Sequence, residues 1–260
     1  LSLHHVFGAT MIGYFGNGVL VFRLGELLKA YAVSKGYKIT IAQAFGTVII
    51  ERTLDLLMVA LILIFLIPWF PLHDDNIKIG IQISICFLMI ILVFIITIIK
   101  LKIKRKMEKL DMLGSIYIRN IIESINKLFE GIASIAKNKN FFAIVFLSIL
   151  IWFIYYIVTL LVLNSCGIQI SFVEAAILFT LSSLILGIPA LPGSLGTLDI
   201  GVKYVLMYIF FVNSAQALNY SIVSHAVGYF PPLLIGLVYF FTSNISIKDM
   251  NEEDTVNERI

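Results

Sequence analysis

The stretch IAQAFGTVIIERTLDLLMVALILIFLIPWF, residues 41–70, decides how this chain is read. It is continuously apolar, lacks the alternation of a half-buried strand, and closes at Pro68, with Pro71 just beyond. About 20 helical residues cross the ~30 Å hydrocarbon core of a bilayer, so the stretch predicts a membrane-spanning helix. Glu51, Arg52 and Asp55 nevertheless lie some ten residues inside it. Each such charge costs roughly 2.5–3.5 kcal/mol at a helix centre, so the three must be paired and face protein or a cavity. Arg52 precedes Asp55 by three residues and can reach it along one helix. Glu51 then needs a partner from elsewhere, for which Arg23 and Lys29 are the candidates. Two readings stand: an ion pair that fixes helix register, or a site that handles substrate or protons.

The rest of the chain has the same character. Hydrophobic residues make up 60%, charged residues 13%, and the mean hydropathy is +0.99. A water-soluble surface could not be built from that balance. Only helices or closed barrels satisfy the backbone in lipid, and the long unalternating runs select helices. The expected fold is therefore all-α, a polytopic transmembrane bundle of about six to eight spans, counting short or re-entrant segments. Segments are expected at 3–22, 41–70, 79–99, 141–163, 172–190, 200–212 and 217–241, with a short helix at 25–34. The first, with Gly8, Gly13, Gly16 and Gly18, is expected to span poorly or to enter and return. The segment at 200–212 is too short to cross and reads as a half-helix. The chain starts at Leu1 and is apolar by Val6, which predicts further sequence upstream rather than a cleavable signal peptide.

Residues 1–241 thus read as one membrane domain and 242–260 as a polar tail. Between Lys100 and Lys139, ten Lys/Arg stand against four acids, and an apolar stripe from Leu110 to Ile135 recurs every three or four residues. This predicts a cytoplasmic amphipathic segment over about 101–139. Basic residues also dominate 23–40, whereas 71–78 and 164–171 lack them in excess, so the basic loops should face the cytoplasm. The net charge of +3 is local to these loops, which argues against nucleic acid as a partner. Cys86 and Cys166 lie far apart, with no Cys or His at ligand spacing, so no metal, cofactor or disulfide framework is expected.

Three further features concern function. Arg23, Glu26 and Lys29 repeat at i, i+3 and i+6 around the short helix, a stripe suited to an anionic head group or to plain snorkelling at the membrane boundary. Pro189, Pro192, Gly193 and Gly196 break a helix in an apolar context just before Asp199. Such backbone must line a cavity, be packed in protein, or form a turn outside the membrane. An internal similarity links the two regions. LGE at 24–26 precedes AQAFGTVIIERTLD from Ala42 by 18 residues, and LGT at 195–197 precedes AQALNYSIVSHAVG from Ala215 by 20. In this alignment Arg52 corresponds to His225, beside Tyr229 and the Pro231/Pro232 kink. Two repeats that bring broken helices around one site would place a titratable group opposite Arg52. The bland alternative for His225 is a buried neutral ring bonded to a carbonyl.

At these residues the sequence resembles the flippase-like membrane domain of lysylphosphatidylglycerol synthases and a related bacterial and archaeal membrane-protein family. Three stretches carry the resemblance: Asn17, Arg23, Gly25, Glu26 and Lys29; Glu51, Arg52 and Asp55; and Pro189 to Asp199. Val21, Lys29, Asp199 and His225 depart from the residues usual there, which leaves the lipid unnamed. The resemblance implies movement of an anionic, aminoacylated or polyprenyl-linked lipid between leaflets of the plasma membrane by a multi-pass protein. Arg23, Glu26, Lys29, Glu51, Arg52, Asp55, Asp199 and His225 would bind the head group, and Gly25 would belong to the structural break. The polar tail is too short for an aminoacyl-transferase domain, so a transporter rather than an enzyme is expected. The alternative is a membrane-embedded lipid-linked transferase, with Glu51 or Asp55 as base, or an accessory subunit of one. A homo-oligomer or a lipid-modifying partner enzyme is compatible with either.

Overall fold

The computed structural model describes residues 2–35, 37, 39–70, 80, 83, 90, 141–188 and 191–243. The expected span at 79–99, the amphipathic segment at 101–139, Pro189 and nearly all of the polar tail lie outside them. Among the described residues there are seven α-helices and no strand, as an all-α membrane protein requires. Helix α1 is Leu3–Val19, α2 Gly25–Ser34, α3 Ile41–Leu66, α4 Phe141–Ser165, α5 Phe172–Gly187, α6 Thr197–Tyr208 and α7 Ser214–Thr242. Two of them, α4 and α7, are long and apolar enough to cross a membrane. Helix α3 is comparably long, at 26 residues, and differs by its three interior charges. Phe146, Phe153, Ile154 and Leu161 of α4 point outward, an apolar face that water would not tolerate over such a length.

Helices α1 and α2 form a tight antiparallel hairpin. The chain reverses at residues 20–24, where Phe22 and Arg23 both adopt left-handed φ, +54° and +57°. Small residues let the backbones touch. A Cβ on Gly16 would lie 2.7 Å from the Gly25 Cα, and one on Gly25 would collide with the Gly13 carbonyl and the Asn17 backbone nitrogen. At the open end, His5 Nε2 lies 3.2 Å from the Val33 carbonyl, and the His5 and Tyr37 rings are 4.7 Å apart. The first segment and the short helix thus fold back on each other. Thr40 and Gln43 then form a capping box that starts α3, whose Ala44 and Val48 bury against Ala30 of α2.

Helices α5 and α6 repeat the construction. Ser171 and Glu174 cap α5, the chain reverses between α5 and α6, and Gly201 of α6 packs against Ile185 of α5. The short helix is 12 residues, about 18 Å, as the half-helix reading requires. At this tip Gly193 and Ser194 take left-handed φ, +63° and +58°. The match extends to sequence: Phe22-Arg23 precede Leu24-Gly25, and Gly193-Ser194 precede Leu195-Gly196. The repeat expected from LGE and LGT thus has a structural counterpart at its least common backbone positions.

Helix α7 shows how the hairpins are disposed. Its residues Ala217 and Tyr220 pack with Leu178 and Leu206, at the open end of the α5–α6 hairpin. Farther on, Gly236 abuts Met11, and the Tyr239 ring is 5.4 Å from that of His4, at the open end of the α1–α2 hairpin. Midway, Tyr229 donates to the Gly18 carbonyl at 3.1 Å and covers Gly193. The hairpins enter from opposite ends of α7 and meet tip to tip near its middle, where Arg23 donates to the Leu186 carbonyl.

Candidate functional site

Just behind the first tip, Glu26 and Lys29 lie one turn apart on α2 and face α3. Lys29 Nζ sits 2.5 Å from Glu51 Oε2, so Lys29 supplies the partner that Glu51 needed. Arg52 gathers three carboxylates: Nη2 donates to Glu51 Oε1 at 2.5 Å, Nη1 pairs with Asp55 Oδ2 at 3.1 Å, and Nε lies 3.6 Å from Glu26 Oε1. The last distance is an ion pair without a hydrogen bond. Trp152 of α4 makes a long contact to Asp55, Nε1 to Oδ1 at 3.4 Å.

Three acids thus stand within ion-pair distance of two cations, and Arg23 at the tip is close enough to act electrostatically on Glu26, Asp55 and Arg52. The side chains of Glu51, Arg52 and Asp55 are 40%, 37% and 39% exposed, whereas Lys29 is 13% exposed. A small cavity of about 20 Å³ opens between α1, α2 and α3, lined in part by Thr10, Tyr14, Asn17 and Arg52. That is room for about one water. Asn17 Oδ1 and Arg52 Nε are buried there without a hydrogen-bond partner, two polar atoms that a water or a ligand group would satisfy.

One expectation changes. Arg23 does not continue the stripe of Glu26 and Lys29, because α2 begins only at Gly25 and the left-handed φ at Arg23 turns its side chain toward the second hairpin. His225 has bonding partners of its own. It belongs to a second cluster, where Nδ1 lies 2.9 Å from Asp199 Oδ1 and Nε2 2.9 Å from the Gly193 carbonyl. Asp199 also accepts from the Gly196 amide at 2.9 Å, in the first turn of α6. Pro192 opens the 3-10 turn Pro192–Ser194, and Gly196, at φ +79°, gives the chain its entry into α6.

The two clusters are built alike. In each, an acid in the first turn after a tip, Glu26 or Asp199, meets a nitrogen base at mid-length of the long helix that follows, Arg52 or His225. Sequence reasoning missed Trp152 and Tyr14. An aromatic residue carries no signal in a chain with 20 Phe and 11 Tyr. A polar Asn17 inside an apolar, Gly-rich helix was the one readable clue to the cavity wall.

Paired broken-helix hairpins, abutting tips and intramembrane-type charge clusters define a class: helical membrane proteins with a polar centre between repeats. The family described as "Lysylphosphatidylglycerol synthase TM region" matches residues 1–236, and the chain belongs to it. The UPF0104 membrane protein of Methanocaldococcus jannaschii is 28% identical over 252 residues, covering 92% of this chain and 99% of that protein. A UPF0104 membrane protein of Methanothermobacter thermautotrophicus is 23% identical over 266 residues, covering 95% and 78%. No solved structure matches the chain.

Proposed function

We propose that this chain is a multi-pass plasma-membrane transporter of flippase type, which moves a lipid with an anionic, aminoacylated or polyprenyl-linked head group between leaflets. The observation that carries the reading is the cluster of Lys29, Glu51, Arg52, Glu26 and Asp55 at the meeting level of the two hairpins. Helix α7 has 29 residues, about 43 Å, and the tips meet near its middle, so a spanning α7 sets the cluster deep in the bilayer.

Charge there is costly and is retained where it serves a pathway. A head group with a phosphate could take over the Lys29 and Arg52 contacts, and an amine on the same head group could take those of Glu51 and Asp55. Exchange of ion pairs inside the site keeps every charge compensated while the acyl or prenyl chains stay in lipid. The relation to the membrane region of lysylphosphatidylglycerol synthases supports a lipid as cargo.

The test is reconstitution of purified full chain in liposomes with head-group-labelled phosphatidylglycerol, its aminoacyl derivative and a polyprenyl phosphate, followed by quenching of the outer leaflet. Protein-dependent movement of one of these lipids, lost in Arg52→Ala, is the expected result. Equal leaflet exchange with the wild type, Arg52→Ala and empty liposomes for all three lipids would sink the proposal.

A further inference from the structure

The second cluster has a proton inventory that its hydrogen bonds dictate. The Gly193 carbonyl only accepts, so at 2.9 Å the facing Nε2 of His225 must carry hydrogen. On the other side of the ring, Nδ1 lies 2.9 Å from Asp199 Oδ1. With Nε2 protonated, a neutral ring presents a lone pair at Nδ1, and an ionised carboxylate would repel it. Both contacts hold together in two arrangements: an imidazolium with a carboxylate, or a neutral imidazole with a protonated carboxyl group. Each contains one proton more than a neutral ring beside a carboxylate.

We infer that the Asp199–His225 pair is a binding site for one proton, and that this proton closes the tip of the second hairpin. When it leaves to water, the remaining hydrogen settles on Nδ1, facing the Asp199 carboxylate. Nε2 then turns a lone pair toward the Gly193 carbonyl and the contact becomes repulsive. The tip loses the side-chain bond that ties it to α7.

The surroundings fit a switch. The His225 side chain is 9% exposed and Asp199 22%, so the proton enters past Asp199. Tyr229 packs its ring against His225, with centroids 5.6 Å apart, and covers Gly193, where no side chain could fit. Of the titratable and charged groups on the packed elements, Asp199 and Lys203 of α6, Tyr229 of α7 and Arg23 at the opposite tip, Asp199 is the one ion-paired to the ring. Tyr229 is held by the Gly18 carbonyl of α1 and Arg23 by the Leu186 carbonyl. Three side-chain-to-carbonyl bonds thus hold the tips, one between the hairpins and two to α7, and the one from His225 depends on pH. The inference concerns proton binding and tip closure and does not require the cargo to be a lipid.

The experiment uses the full chain in nanodiscs with ¹⁵N-labelled histidine, the His225 signals being assigned by their loss in His225→Gln. Across about pH 5 to 9, Nε2 should be protonated at the acid end and should lose its hydrogen to the Nδ1–H form at the alkaline end. Labelling of a Ser194→Cys reporter, half-buried in the closed tip, by an impermeant maleimide, with the native cysteines replaced by serine, should accelerate about fivefold over the same range. In an Asp199→Asn background the amide donates to Nδ1 without an added proton, so Nε2–H and slow labelling should persist. The ratio of the two backgrounds cancels the thiol's own pH dependence. An Nε2 without hydrogen at every pH, or an Asp199→Asn background as pH-sensitive as the wild type, overturns the inference. Should Asp199→Asn not fold, the protonation of Nε2 in the wild type decides alone.

Discussion

The two hairpins share a backbone plan and differ in chemistry. The first holds five charged side chains from two helices, three of them more than a third exposed, around two unsatisfied polar atoms and a cavity. The second holds one acid and one histidine, largely enclosed beneath a tyrosine. On the proposed function, a cluster with open coordination exchanges partners with a visiting head group. A closed pair with both ring nitrogens engaged can only hold or release what it has. One backbone plan therefore carries two different side-chain clusters, one open and one enclosed.

The sharpest way to break this comparison is at the glycine that opens each short helix. Gly25→Ala should be the more damaging, because its Cβ meets backbone of α1 that cannot move aside; failure to purify as a monodisperse protein is the expected outcome. Gly196→Ala meets no atom within 4 Å, and its cost is that of φ +79°, about 1–3 kcal/mol, read as a lowered Tm with the fold retained. Equal damage from both would mean that the hairpins are not packed differently.

Next in size is the charge cluster. Arg52→Ala leaves the three carboxylates with Lys29 as their one ion-paired cation among the described residues and should abolish lipid movement in the liposome assay, a drop of tenfold or more. Lys29→Gln leaves Glu51 still paired with Arg52 and should reduce transport by roughly three- to tenfold. A larger effect from Lys29 than from Arg52 would move the centre of the site from α3 to α2. The smallest effect on transport is expected for Trp152→Phe. Its contact to Asp55 is long, so transport should stay near normal, while loss of the indole from its packing with Val59, Leu63 and Phe179 lowers stability by about 1 kcal/mol, read as a lowered Tm.

Much of the scaffold was readable because bilayer physics is strict. Uninterrupted apolar runs can only be helices there, and the structure places α3, α4, α5 and α7 within a few residues of where the runs predicted them. The short helix at 25–34 was legible from its flanks, Gly25 and the polar turn after Ser34. Arg23 was misread because a helical spacing rule assumes a helix, and two left-handed residues stop α2 from extending back to it. The partners of His225 were equally invisible. The repeat aligns His225 with Arg52 in sequence, and alignment says which positions are equivalent, not which are neighbours.

Composition and hydropathy by themselves determined an all-α membrane protein, its broken segments, and the need for Glu51, Arg52 and Asp55 to be paired, because uncompensated charge and unbonded backbone are unaffordable in lipid. Only the tertiary structure decided the partners: Lys29 for Glu51, Trp152 for Asp55, Asp199 and the Gly193 carbonyl for His225, Leu186 for Arg23. Those choices follow from hairpins entering from opposite ends of α7 and meeting at their tips, and contacts between residues so distant in the chain leave no local spacing from which to read them.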